Sequence, residues 1–381
     1  MEFDFTPQQL ELKDGTIRFA RKELNEDVIS RDKAGVFSRD LWCKCADFGI
    51  QGLPFPGEFG GSSSDIMTTL LVMEGLGYGC RDSGLVFSLN GQMWTVQFPI
   101  LRFGTPEQKS KYLPRLCCGE LIGANGMTEP SSGSDSFALS TTARREGDQY
   151  VLNGTKTFIS NAPVADMFLI YATVDKTKGF MGVTAFIVDK DTPGLKVSKA
   201  IDKMGLKTSP LAEIVLEDCR VPAGNLLGRE GNGAAVFNDA VDWERSCMLA
   251  CDIGLMERQL EECVKYARDR RQFKKPIGKF QAVSHKIAEM KVRLETARLI
   301  LYKVAWSKKT RDKTGMEAAI AKLYVSESLV KSCLDAVQIH GASGYATEYE
   351  LERDLRDSVA STIYSGTSEI QKNIIAHYLG L

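Results

Sequence analysis

The spacing of apolar positions changes character twice along the chain. From about residue 7 to 120 it follows the helical period, interrupted by short Gly/Pro breaks such as GLPFPGEFGG (52–61) and FGTPEQK (103–109). Between about 123 and 222 the runs shorten to YVLNGTKTFIS, MFLIYATV, GVTAFIV and EIVLEDCRVP. These are rich in β-branched and aromatic residues and are separated by Gly, Asp, Asn and Pro, which predicts strands. After GREGNG (228–233) the helical period returns: Ile287, Met290, Leu294, Ala297, Leu301 and Val304 alternate steps of three and four to build one apolar stripe. The polar spacer SKKTRDKTG (307–315) is expected to be an interhelical turn, and no internal repeat or low-complexity tract appears. The order α, β, α gives an α+β chain, expected to divide into a helical domain at 1–122, a β domain at 123–230 and a helical bundle at 231–381.

At 381 residues the chain exceeds the usual span of one core, which favours several packed subdomains. Forty-eight basic residues against forty-nine acidic ones leave a net charge of -1, so no global field favours nucleic acid or an anionic membrane. The ten cysteines form no CxxC pair and no ladder of a secreted scaffold, and the acidic N-terminus lacks a signal or presequence pattern. A reducing cytoplasm is the expected location. No apolar run reaches the roughly 18 residues of a membrane span.

The chemistry-bearing motifs exclude several classes. There is no GxGxxG between a strand and a helix and no GxxxxGK[ST], so neither a Rossmann site nor a P-loop is signalled. Three histidines (His285, His340, His377) match no metal-ligand spacing with the cysteines, and no metal is expected. The stretch GANGMTEPSSGSDSFALSTTA (123–143) is richer, since small residues and hydroxyls before a strand bring N–H and O–H donors close to an anionic or carbonyl-bearing ligand.

That stretch resembles the acyl-CoA dehydrogenase signature TEPxAGSD, and NGTKTFISNA (153–162) follows at that family's spacing. Further resemblance runs through DCRVP, LLGREGNG, YARDRRQFKKPIGKFQ, QIHGASGY, ERDLRD and YSGTSEIQ to the C-terminus, so it covers nearly the whole chain. It implies the family fold: an N-terminal helical domain, a middle β-barrel-like domain and a C-terminal four-helix bundle. It also implies a homotetramer holding FAD at a subunit interface.

Carried over by resemblance, Met127, Thr128 and Ser134 are flavin contacts, Phe158 covers the flavin ring and Ser160 supplies a hydroxyl near flavin N5. Arg270, Phe273 and Gln281 are similar to the set that reaches the FAD of a neighbouring subunit, where a guanidinium suits a pyrophosphate. Gln338 and Gly341 resemble adenine and phosphate contacts, and Thr367 and Glu369 those of the terminal motif. Two departures stand out: Lys274 replaces the usual Gly of RxxFG, and Ala342 the second Gly of QxxGG.

Oxidising an acyl thioester between Cα and Cβ requires a carboxylate to take the α proton while a hydride leaves Cβ for the flavin. Many family members carry this base in IYEGTSEIQ, yet the chain has IYSGTSEIQ with Ser365 in its place. VDWERSCMLA (241–250) resembles the LDLER helix on which isovaleryl-type members place their glutamate, which assigns the base to Glu244. Asp242 is the nearest competitor but falls on another helical face. The developing thioester oxyanion needs preorganised donors. By resemblance these are an FAD ribityl hydroxyl and the backbone N–H of Ser365.

The segment 87–104, where the family builds its acyl pocket, carries Asn90, Gln92 and Gln97 among apolar residues. An acyl tail would leave buried amides unpaired, whereas a small substrate with its own nitrogen can pair with them. As a whole the sequence resembles the subgroup that acts on prolyl groups tethered to a carrier protein in secondary metabolism. A short or branched-chain acyl-CoA dehydrogenase of the isovaleryl kind is the alternative, and a non-catalytic flavin-binding scaffold is the alternative from another class.

Overall fold

The computed structural model describes residues 4–310 and 314–381. The first third is helical: α1 (Pro7–Glu23), α2 (Val28–Ala34), α3 (Arg39–Asp47), α4 (Ile66–Gly79), α5 (Ser83–Gln92), α6 (Phe98–Phe103) and α7 (Pro106–Cys117). Local signals start these helices where they begin. Thr6 and Thr105 each cap through a capping box completed by Gln9 and Gln108, with proline in the first turn. Between α5 and α6 the helix runs on through one π-type turn, Met93–Gln97.

The middle third is a sheet of β1 (Gly123–Gly126), β2 (Thr142–Glu146), β3 (Gln149–Ser160), β4 (Met167–Thr173), β5 (Val183–Asp189), β6 (Leu195–Val197), β7 (Leu211–Pro222) and β8 (Leu226–Leu227). Its order is β6-β7-β3-β2-β4-β5-β8, with β1 pairing in parallel with β4. The unbroken apolar run of β4 has a simple cause: the strand is covered on both faces. Phe168, Ile170 and Ala172 enter one core, while Met167, Leu169 and Tyr171 enter another shared with Val96, Tyr112 and Leu113 of the helices.

The last third comprises α8 (Gly233–Cys247), α9 (Leu249–Asp269), a short hairpin of β9 (Arg271–Gln272) and β10 (Lys275–Pro276), then α10 (Gln281–Thr310), α11 (Gly315–His340), α12 (Ala342–Tyr345), α13 (Leu351–Val359) and α14 (Ser368–Tyr378). The expected stripe of α10 is present, with Met290, Leu294, Ala297, Leu301 and Val304 buried. The spacer read as a turn from 307 is corrected in part. Helix α10 continues through Thr310 because Ser307 is buried and Lys308 reaches back to Asp242; residues 311–313 of that spacer lie outside the described residues.

Helices α9, α10 and α11 pack on one another, α13 and α14 lie against α11, and α4 of the first third crosses α9. That crossing is unusually close. A Cβ on Gly77 would meet the Cys251 carbonyl oxygen at 2.0 Å, and one on Gly254 would meet the Glu74 carbonyl oxygen at 2.0 Å, so both helices need glycine at the contact. Beside it the buried Glu74 carboxylate is held by Lys13 at 2.8 Å, Arg298 at 2.7 Å and the Tyr302 hydroxyl at 2.7 Å. Removing one partner of such a buried set typically costs about 3–5 kcal/mol. The segment of α9 next to the crossing is therefore firmly placed.

Candidate active site

Met248 joins α8 to α9 with right-handed helical angles (φ -59°, ψ -36°), and its N–H donates to the Glu244 carbonyl at 3.0 Å. A single turn residue thus separates the two helices, and Cys251 N donates to the Met248 carbonyl at 3.2 Å. Glu244, Met248, Cys251, Asp252 and Leu255 follow at steps of four, three, one and three, a single stripe. Met248, Cys251, Asp252 and Leu255 line a cavity, and Glu244 stands one turn beyond its edge. Opposite walls come from Val86, Phe87 and Asn90 of α5, Leu329 of α11, and Ser358, Ser361 and Tyr364 near the end of the chain.

The neighbour of Glu244 is fixed by aromatic packing. Trp243 stacks on Trp94 (6.5 Å between ring centres) and lies against Phe98 (4.3 Å), so the π-type turn and α6 grip α8 one residue before the carboxylate. Asp242, the competitor for the role of base, is turned away to accept from the ammonium of Lys308 and from the Thr314 hydroxyl (3.2 Å). Burial pushes the Glu244 carboxyl above the ordinary glutamate range, opposed by Ser365 and by the positive charges of Arg245 and Lys322. Lys322 is fully buried, its Nζ has no hydrogen-bond partner among the described residues, and burial lowers its pKa to about 8, helped by Arg245.

Ser365 faces this cluster from the turn before α14. Its φ of 55° is left-handed, and Gly366 follows at φ 90°. The Ser365 carbonyl accepts from Arg245 Nε at 2.8 Å and Gln371 Nε2 at 3.1 Å, and Gln371 also donates to the Gly366 carbonyl at 2.8 Å. These bonds anchor the Ser365–Gly366 peptide, and the Ser365 N–H, which belongs to the preceding peptide, donates to no acceptor among the described residues. The Ser365 hydroxyl is likewise buried without a hydrogen-bond partner there, although it lies near enough to Glu244 to favour the charged carboxylate.

The three amides expected in the acyl pocket separate. Asn90 lines the cavity, but its Nδ2 donates to its own helix at Val86 O (2.8 Å) and its Oδ1 accepts from Trp94 Nε1 (2.9 Å). Gln92 and Gln97 are not on the cavity wall, which corrects the sequence expectation. Gln92 accepts from Gly123 N (2.7 Å) and donates to Leu116 O (3.2 Å); Gln97 donates to Gln51 O (3.0 Å). Both serve to satisfy buried backbone groups.

The residues carried over as flavin contacts fall into two groups. Met127, Thr128, Ser134, Phe158 and Ser160 lie along the loop after β1 and the end of β3, where Thr157 N donates to Thr128 O at 2.9 Å. A register shift between Lys156 and Ile159 turns Phe158 outward at φ 55°, leaving this large ring 62% exposed. Arg270, Phe273, Gln281, Gln338 and Gly341 are exposed at the far end of the bundle, where Tyr266 stacks on His340 (4.0 Å) and brings the ends of α9 and α11 together. Phe273 is 86% exposed at the tip of the β9–β10 hairpin. The tip residues Phe273 and Lys274 both have positive φ (51° and 65°), the pattern of a two-residue type I′ turn. Lys274 thus occupies a position that glycine would fill without strain, at a cost of about 1–2 kcal/mol. Thr367 caps α14 by accepting from Ile370 N (3.4 Å), and Glu369 is exposed in the first turn of that helix.

Exposed rings at Phe158 and Phe273 are costly against water and fit a flat aromatic ligand or a second chain, so the side chains present suit a flavin. The sequence reading missed Asp252, Arg245, Lys322, Tyr364 and Gln371. Asp252 had a signal, its place two helical turns after Glu244; the others contribute through tertiary contacts that no spacing announces. All ten cysteines are free thiols. Among the described residues no helix is long and apolar enough to cross a membrane, and no His/Cys/Asp/Glu group could hold a metal ion.

A helical, β and helical arrangement around a half-buried glutamate, a free N–H opposite it and an adjoining cavity is the arrangement of an acyl-thioester dehydrogenase. The chain belongs to the acyl-CoA dehydrogenase family: the N-terminal domain model matches residues 6–120, the middle domain residues 124–219 and the C-terminal domain residues 231–380. It is 45% identical over 346 residues to an L-prolyl-[peptidyl-carrier protein] dehydrogenase of Pseudomonas fluorescens, covering 91% of each chain. Among solved structures it is similar to the prolyl acyl carrier protein oxidase AnaB (TM-score 0.98, 50% identity, 99% and 100% of the chains). The structure of PigA with FAD and proline matches it over 100% of both chains at 42% identity, with a TM-score of 0.98.

Proposed function

We propose that this chain oxidises an L-prolyl group carried as a thioester on a peptidyl carrier protein, giving a dehydroprolyl thioester for secondary metabolism. The supporting observation is the pairing of Glu244 with the free N–H of Ser365 beside a cavity walled by α5, α9 and α11. Its likeness to AnaB and to the Pseudomonas fluorescens enzyme supports the prolyl substrate and the carrier. PigA with FAD and proline supports the cofactor. On this reading residues 1–122, 123–230 and 231–381 are its three domains, and the exposed set around Arg270 and Phe273 completes a flavin site in an adjacent subunit of a homotetramer.

FAD, when bound, supplies the hydride acceptor. Glu244 takes the proton from the substrate α carbon. Burial makes its carboxylate a stronger base than an exposed glutamate, while Ser365, Arg245 and Lys322 oppose that rise. The Ser365 N–H, which has no acceptor among the described residues, donates to the thioester oxygen as negative charge develops there. Incubation with L-prolyl-carrier protein and with isovaleryl-CoA, followed by mass spectrometry, tests the proposal: the prolyl thioester should lose two hydrogens and the CoA ester should not. Turnover of isovaleryl-CoA alone would assign the chain to branched-chain oxidation, and no substrate-dependent bleaching of bound flavin would make it a scaffold.

A further inference from the structure

The cavity wall carries a carboxylate that the reaction so far described does not use. Asp252 lines the cavity from α9, its Oδ2 is buried with no hydrogen-bond partner, and it forms no ion pair among the described residues. An unpaired carboxylate in an apolar cleft is costly and calls for a cation. The nearest ammonium of the chain does not serve, since Lys322 Nζ is itself without a hydrogen-bond partner. Four other polar wall groups are already engaged. Asp357 accepts from Leu206 N at 2.5 Å and has Arg353 nearby, Ser358 donates to Leu355 O at 2.8 Å, Ser361 donates to Ser358 O at 2.7 Å, and Asn90 is bound within its own helix and to Trp94.

Resting on the prolyl reading above, we infer that Asp252 receives the ring nitrogen of the substrate and so selects an amino-acyl ring over a carbocyclic or branched acyl group. Glu244 and Asp252 lie on one helical stripe eight residues apart, roughly 12 Å of rise. Two carboxylate side chains with a small ring between them fill that span. The ring of Tyr364 lies on the cavity wall, in the field of both carboxylates. Burial, opposed by the charge of Lys322, raises the Asp252 carboxyl to about 7, so it is poised to ionise when an ammonium arrives. A methyl or methylene in the same place would leave that carboxylate buried without a partner.

The test compares a peptidyl carrier protein loaded through its phosphopantetheine with L-proline or with cyclopentanecarboxylic acid, which replaces the ring N–H by CH₂. For the wild type kcat/KM should favour the prolyl thioester by ~10- to 100-fold, the range of one charge-assisted hydrogen bond. Asp252→Asn should lose most of that preference, lowering prolyl turnover by a similar factor while cyclopentanecarbonyl turnover stays within about threefold. Equal losses on both substrates, or an unchanged ratio, would overturn the inference, and an Asp357→Asn variant that alone abolished the preference would move the role to Asp357. If Asp252→Asn does not retain flavin, the wild-type ratio decides, and a preference under about threefold rejects a carboxylate partner for the nitrogen. Failure of the wild type to oxidise the prolyl thioester at all is a different result, because it overturns the substrate assignment on which the inference rests.

Discussion

Arg245 donates its Nε–H to the backbone carbonyl of Ser365 at 2.8 Å, so the residue after the proposed base holds the peptide that faces it. One helix thus carries the carboxylate and, through its neighbour, holds the turn on which the proposed oxyanion donor stands. Arg245→Ala should leave the fold and flavin in place but release the turn. We expect kcat to fall by ~10- to 100-fold with little change in KM, because the lost hydrogen bond matters most when charge develops on the substrate oxygen. A pure KM effect in steady-state kinetics would contradict this.

Glu244→Gln keeps shape and hydrogen-bonding capacity but cannot take the α proton. Stopped-flow reduction of the flavin by substrate should slow by at least ~10²- to 10⁴-fold with flavin still bound. Ser365→Ala should stay within a few-fold, since the N–H and not the hydroxyl is assigned a role. The double variant Glu244→Gln with Ser365→Glu should recover part of the rate, because the turn at Ser365 faces the same reacting carbon. Wild-type reduction by Glu244→Gln would remove the assignment.

The pH dependence has a definite sign. Glu244 must be ionised to act, and its pKa is raised mainly by burial, so activity should fall with decreasing pH at values above those of an ordinary glutamate. Lys322 is one of the charges that oppose this rise. Lys322→Met removes it at similar volume, and the acid limb of the kcat profile should then move further upward. A limb that stays in place or moves down would show that Lys322 does not act on Glu244.

Stability carries a second signature. Asp252 titrates from an unfolded value of 3.8 to about 7 in the fold, so its contribution is fully present below the unfolded value and is lost as pH rises through the folded one. Asp252→Asn has no such loss. The melting temperature of the variant minus that of the wild type should grow from about pH 4 to about pH 7 and then level off. A difference independent of pH would mean that the carboxyl is better solvated than its position implies.

Phe273 is 86% exposed at the hairpin tip and contributes little to its own chain's core. Phe273→Ser should therefore leave the melting temperature of the flavin-free protein nearly unchanged, yet reduce flavin retained on gel filtration. Full retention, or a monomer that binds flavin as well as the oligomer does, would exclude a role across a subunit interface.

The sequence reached furthest where periodicity reports burial. The doubly covered strand at Met167–Thr173 and the α10 stripe through Leu294 and Leu301 are both legible from residue type, because one is apolar throughout and the other at helical spacing. Direction is a different matter. Gln92 and Gln97 flank the π-type turn Met93–Gln97, whose altered phase points their amides at Gly123 N, Leu116 O and Gln51 O, and no composition of the segment announces that rotation. Ser307 and Lys308 look like a polar spacer because their partners, among them Asp242, are distant in sequence. Glu244 was legible through its motif, whereas the grip of Arg245 on Ser365 spans 120 residues and exists only in the folded chain.

The passage from α8 to α9 through the single turn residue Met248 makes the two helices a graduated rule. On the proposed reading one mark carries the atom that withdraws a proton, and another carries the charge that inspects the rest of the substrate. Adding a single residue between the marks would swing the second by about 100° and carry it off the wall without disturbing the first. Reactivity and discrimination are therefore set by phase, and a lineage could retune its choice of acyl group by changing which side chains stand at the second mark while leaving the first untouched.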